Sequence, residues 1–220
     1  MNVIETIVRF IQDGGAFMYP ILVVGAVGFA ISIERFIKLL LVRKANQAMW
    51  EQLHPVLVEG KFDKARKMTA EDKSTVSHLL SLGLAREGAV RRRDDIEIAM
   101  EEGMMEIIPQ LEKRTSYIAL FANIATLLGL LGTIIGLIQA FTAVAHANPA
   151  EKADLLSASI SVAMNTTAFG LIVAVPLLLA HAYLNSRAGE IIDSLEMASV
   201  KTLNIISSTT QRKYQVDEAA

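Results

Sequence analysis

The chain has 220 residues, 52% of them hydrophobic and 20% charged, with no cysteine and a net charge of −2. Without thiols there are no disulfides, thiol nucleophiles or cysteine-held metals, and the near-neutral balance gives no basic field of the kind nucleic-acid binders carry. High hydrophobicity alongside 21 Lys and Arg and 23 Asp and Glu implies that apolar and charged stretches are segregated along the chain.

The first segment, MNVIETIVRFIQD, puts Val3, Ile4, Ile7, Val8 and Ile11 on one helical face, with Glu5, Arg9 and Gln12 elsewhere. Two readings stand for residues 1–13: an amphipathic helix on the periplasmic membrane surface, or the opening turns of the first span. Gly14 to Ile33 is free of charge for 20 residues, about the length needed to cross a ~30 Å hydrocarbon core. The neutral upstream segment and the lack of an A-x-A site predict a retained span over 14–42 rather than a cleaved signal peptide. Glu34 and Arg35 close it on the cytoplasmic side. Glu34 and Lys38 are spaced for an i,i+4 pair; snorkelling at the boundary is the simpler reading, and a salt bridge to a neighbouring subunit is the alternative.

Residues 43–114 hold 13 basic and 13 acidic residues interleaved with apolar ones, the pattern of solvated amphipathic helices. Gly60 in EGKFDKARKM marks a helix stop. Ile96, Met100, Met104, Ile107, Ile108 and Leu111 then recur at helical spacing and run into the next apolar stretch, predicting one long helix kinked near Pro109. Thr115 to Ala150 is charge-free for 36 residues and Leu155 to Ser186 for 32. These predict a second span at 115–147, a periplasmic loop at 148–154 and a third span at 155–186. Ile191, Ile192, Leu195, Ala198 and Leu203 extend the helical stripe into a C-terminal helix and tail at 187–220. Lys and Arg concentrate in 43–114 and after Ser186, so the positive-inside rule places both in the cytoplasm. The predicted fold is an all-α membrane protein of three transmembrane helices, N-out and C-in, two of them long and extended into a cytoplasmic helical bundle.

Within the second span, LLGLLGTIIGL carries Gly129, Gly132 and Gly136; Gly132 and Gly136 form a GxxxG pair that lets helix backbones approach. Ala163, Gly170 and Ala174 give the third span a matching small face. Thr133 lies 13 residues before His146, and Thr167 lies 12 after Leu155. At 1.5 Å per residue both threonines sit roughly 18–20 Å from the outer helix ends, joined at that level by Asn165 and Thr166. Two readings remain: hydroxyls bonded to their own i−4 carbonyls, or side chains that line something wet. Neither span contains an acid or a lysine, so a titrating membrane carboxylate would have to come from a partner. The four histidines lack metal-ligand spacing, and no phosphate loop, nucleophile elbow or dinucleotide motif is present. No enzyme, metal or cofactor is expected.

ANIATLLGLLGTIIGLI at 122–138, followed by AMNTTAFGLIVAVP at 163–176 and ending on Pro176, resembles the two signature spans of the MotA/TolQ/ExbB proton-channel family. The three-span layout with a large insert resembles its ExbB/TolQ branch. That resemblance implies a homopentameric ring in the bacterial inner membrane, around a dimer of single-span ExbD/TolR-like partners that bring the missing aspartate. It also implies delivery of work by the partner or by a TonB- or TolA-like protein. By the same resemblance Thr133 and Thr167 match the pore threonines. Two departures are plain: Thr126 stands where many members have proline, and Val162 stands where ExbB and TolQ carry glutamate. The expected function is the channel subunit of a proton-driven motor. The alternative is a non-conducting scaffold in which glycines and threonines only pack helices.

Overall fold

The computed structural model describes residues 10–11, 14–87 and 93–218, with side chains as far as Thr209. Most of the N-terminal amphipathic segment, and Arg91 and Arg92, lie outside the described residues. From Met18 on, the helices of the described residues are α1 Met18–Val58, α2 Phe62–Glu71, α3 Thr75–Arg86, α4 Arg93–Glu112, α5 Thr115–His146 and α6 Lys152–Glu218. There is no strand among the described residues. Among the described residues, three helical stretches are long and apolar enough to cross a membrane: Met18–Val58, Arg93–His146 and Lys152–Thr209. The chain divides into two compact units, Met1–Arg35 with Arg114–Leu184, and Phe36–Lys113 with Asn185–Ala220.

In the first unit many small residues are buried between the helices while many large aliphatic ones face outward. Ala122, Ala125, Ala140, Ala163 and Ala174 are buried, whereas Leu127, Ile138, Ile172 and Leu179 are at least 60% exposed. A water-soluble bundle would not leave so many large aliphatic side chains exposed. In lipid nothing drives leucine inward, and close packing of small residues holds helices together.

In the second unit α3 packs against α2 and α4, with Leu79, Leu80, Leu84, Met100 and Ile107 fully buried. The predicted stop at Gly60 is present: Gly60 has φ +71°, its N–H bonds the Leu57 carbonyl at 2.9 Å, and the Lys61 N–H bonds Val56 at 3.2 Å. This is a Schellman cap, which satisfies carbonyls the helix end would leave open. At the other end of α3, Arg66 donates to the carbonyls of Leu84 at 2.8 Å and Glu87 at 2.6 Å.

The start of α3 is anchored by Ser74, whose hydroxyl accepts the Ser77 N–H. Asn46 on α1 accepts from Thr75 Oγ1 at 2.8 Å and the Val76 N–H at 3.1 Å. Burial pushes the Asp72 carboxyl up, but hydrogen bonds from the Ser74 and Ser77 hydroxyls and the Ser74 and Lys73 N–H groups outweigh it, leaving the pKa lowered. A depressed carboxylate pKa adds stability above its unfolded value of about 3.9, lost as pH falls through the folded value. Ser74→Ala should therefore cost about 1 kcal/mol at neutral pH. Asp72→Asn should destabilise at pH 7 and approach wild type as pH drops below the carboxylate range, read from amide exchange across α3.

The single long helix expected to run into the second span is instead two, interrupted at Lys113 and Arg114. Pro109 sits inside α4, and Arg114 turns the chain with φ +65°, the left-handed region. A non-glycine residue there costs roughly 1 kcal/mol or more. The Arg114 guanidinium donates to Glu34 Oε2 at 3.1 Å, an exposed pair worth at most about 1 kcal/mol, so geometry and partner are roughly balanced.

Candidate functional site

Helices α5 and α6 approach closely because glycines leave no room for side chains between them. A Cβ on Gly170 would lie 2.7 Å from the Ala125 carbonyl oxygen and 3.1 Å from Gly129 Cα. One on Gly129 would lie 3.3 Å from Gly170 Cα and from Thr167 Cα. Backbone therefore meets backbone at Gly129 and Gly170. Gly132 and Gly136, the GxxxG pair, instead receive the side chains of Thr166 and Ala163. Ala163 and Ala174 are buried, and Pro176 is exposed within an unbroken helix.

This approach joins the two depth-matched threonines. The hydroxyls of Thr133 and Thr167 bond each other directly. Thr167 Oγ1 also donates to the Gly129 carbonyl at 2.9 Å, while Thr133 Oγ1 lies 3.2 Å from that oxygen and 3.4 Å from the Ala163 carbonyl. Each hydroxyl has one proton. With Thr167 donating to Gly129, the consistent arrangement has Thr133 donating to Thr167, a short relay across the helix interface. Both side chains are half-buried.

Thr166, one residue away, turns to a different neighbour. It is 2% exposed, and its hydroxyl donates to the Gly14 carbonyl at 2.6 Å and lies 3.0 Å from that of Val162. Phe17 packs beside Gly132, and the rings of Phe10 and Phe169 meet edge-on with centroids 6.2 Å apart. The residues leading into α1 thus lie at the depth of the threonine pair. Val162 borders this segment, with its Cγ1 3.3 Å from where a Gly15 Cβ would stand.

Asn165 is half-buried and makes no hydrogen bond among the described residues. Glu34 is held by Arg114 within the chain, and Lys38 is exposed. No group of three His, Asp or Glu able to hold a metal occurs among the described residues. Sequence reasoning missed the Thr166–Gly14 bond and the Glu34–Arg114 pair. A change of 100° per residue does signal that Thr166 and Thr167 cannot share a face, but nothing local marks Gly14 or Glu34 as the partner.

These features define a multi-pass helical membrane protein with an acid-free polar junction between two glycine-packed spans. The chain belongs to the MotA/TolQ/ExbB proton channel family, whose profile matches residues 71–197. It is 27% identical over 207 residues to a putative biopolymer transport protein ExbB homolog of Methanothermobacter thermautotrophicus, covering 92% of this chain and 71% of that protein. It is 38% identical over 90 residues to the biopolymer transport protein exbB1 of Vibrio cholerae, covering 41% of this chain and 38% of the relative. It is 33% identical over 93 residues to the Tol-Pal system protein TolQ of Haemophilus influenzae, covering 42% and 40%.

Proposed function

We propose that this chain is the channel and stator subunit of a proton-motive-force-driven motor in a bacterial inner membrane, N-out and C-in, energising a periplasmic or outer-membrane process. The reading is carried by the Thr133–Thr167 hydroxyl pair in spans that contain no acid or lysine. Hydroxyls neither gain nor lose a proton at neutral pH. They order water and donate to a carboxylate, which must then come from another chain. The partner is a dimer of single-span ExbD/TolR-like proteins bringing a membrane aspartate, inside a ring of five copies of this subunit. Asn165 adds a polar group on the outer side of the pair, and Thr166 supports the site from behind. Glu34 and Lys38 lie at the cytoplasmic edge, where Lys38 is open to a neighbouring subunit. A TonB- or TolA-like protein would carry the work onward.

The scaffold reading has its own observation: Thr167 also donates to the Gly129 carbonyl, and Thr133 Oγ1 lies 3.2 Å from the same oxygen, as in purely structural threonines. Reconstitution decides between them. Vesicles holding this subunit together with a co-expressed single-span aspartate protein should dissipate an imposed pH gradient, and vesicles with an Asp→Asn partner should not. Equal leak from both, with the complex intact, would leave the scaffold.

A further inference from the structure

Four polar side chains of α5 share one face. Ser116, Asn123, Thr126 and Thr133 are separated by 7, 3 and 7 residues, which keeps them within about 100° of arc on one side of the helix. Ser116, Asn123 and Thr126 are exposed on the surface of the unit rather than packed against α1 or α6. Thr126 donates to its own i−4 carbonyl, Ala122, at 3.1 Å, while the Asn123 amide makes no hydrogen bond among the described residues. An amide left bare in hydrocarbon costs several kcal/mol, so Asn123 must face water or another chain. Ser116 is two residues from Arg114, where the charged boundary begins. The stripe thus connects that boundary to the threonine pair over ~26 Å, at 1.5 Å per residue.

Helix α6 shows the opposite distribution. On the cytoplasmic side of Thr167 its exposed flank is Leu171, Val175 and Leu178, with no polar side chain until the end of the span. On the outer side, Ser157, Ser161 and Asn165 recur every four residues, the serines exposed and Asn165 half-buried. Beyond Thr133, α5 also carries exposed Gln139 and Thr142, but these lie about 120° and 180° around the helix from Thr133, so the α5 and α6 stripes meet where the Thr133 and Thr167 hydroxyls bond.

We infer that the water-filled route is split between the two helices. Its outer half runs along α6 through Ser157, Ser161 and Asn165, and its inner half along α5 through Thr126, Asn123 and Ser116, with the crossover at Thr133–Thr167. This rests on the proton-channel reading and adds the release side of the path, with Asn123 as its central positioning residue. The crossover also explains why this chain tolerates Thr126 where a proline is usual in the resemblance: a hydroxyl there belongs to the stripe.

The absence of native cysteine makes the test direct. Single cysteines at 116, 123, 126, 133, 167, 127, 131, 171 and 178 are placed in the full chain, assembled with its single-span partner in membranes. They are titrated with a water-soluble methanethiosulfonate, which needs a hydrated thiolate. Positions 116, 123, 126, 133 and 167 should label at least about tenfold faster than 127, 131, 171 and 178. Labelling at 133 and 167 without 123 and 126 overturns the split route and leaves the proton-channel reading standing. Labelling at none of them overturns both. Equal labelling at 171 and 178 places the inner half on α6 and overturns the assignment to α5. In flux assays Asn123→Leu should slow transfer and Asn123→Ser should retain it, with assembly unchanged in each; equal slowing by both overturns the role of a polar group at 123.

Discussion

The double variant Thr133→Val, Thr167→Val should assemble at wild-type levels and lose about ten- to a hundredfold of its partner-dependent proton flux. Valine matches threonine in shape, so the glycine-lined approach of α5 and α6 is preserved. What disappears is the pair of hydroxyls that bond each other. Two hydrogen bonds to an ordered path, at roughly 1 kcal/mol each, translate to that range because 1.36 kcal/mol is tenfold in rate. The serine pair, Thr133→Ser with Thr167→Ser, keeps both hydroxyls and should restore most of the flux. Measured in vesicles against the Asp→Asn partner control, full flux in the valine variant would remove the threonines from the path and leave them as packing groups.

The largest stability effect should come from Gly170. Adding a single methyl group in Gly170→Ala places a carbon 2.7 Å from the Ala125 carbonyl oxygen and 3.1 Å from Gly129 Cα. Both obstacles are backbone, so no rotamer change relieves them and the helices must separate. Overpacking of this kind costs about 1–3 kcal/mol, and Gly170→Val should prevent the α5–α6 pair from forming. Gly189 supplies the internal control. It lies in the same helix with nothing within 4 Å of an added Cβ, so Gly189→Ala should be neutral or stabilising by up to about 1 kcal/mol. Thermal unfolding in detergent should therefore move in opposite directions for two glycine-to-alanine changes in one helix. A stable Gly170→Ala would mean that the close approach does not hold the spans together.

The three spans are legible in the residues because charge is so completely excluded from them, and the meeting of Thr133 with Thr167 follows from counting rise per residue along two antiparallel helices. Which glycine faces which is less accessible. Gly129, Gly132 and Gly136 all lie on the buried side of α5, and only the register set by Thr167 on the Gly129 carbonyl selects Gly129–Gly170 as the backbone contact. Treating Thr166 as part of the polar band overlooked its 100° offset from Thr167, which sends it to Gly14 instead. The helix break shows the same limit from the other side. The apolar stripe signals one continuous helix, but Arg114 interrupts it, and its ionic partner Glu34 is 80 residues away in sequence. Local propensity cannot anticipate a partner at that distance. Gly60, whose cap is made entirely by its own neighbours, was readable for the opposite reason.

The bond from Thr166 to the Gly14 carbonyl has a mechanical consequence. Together with Phe17 against Gly132, it ties the start of the first span to the third and second, while Arg114 and Glu34 tie its far end to the start of α5. Fastened at both ends, the three spans resist twisting against one another and should move as one unit. In the proposed motor, such a unit would slip at its boundary with other chains rather than between its own spans.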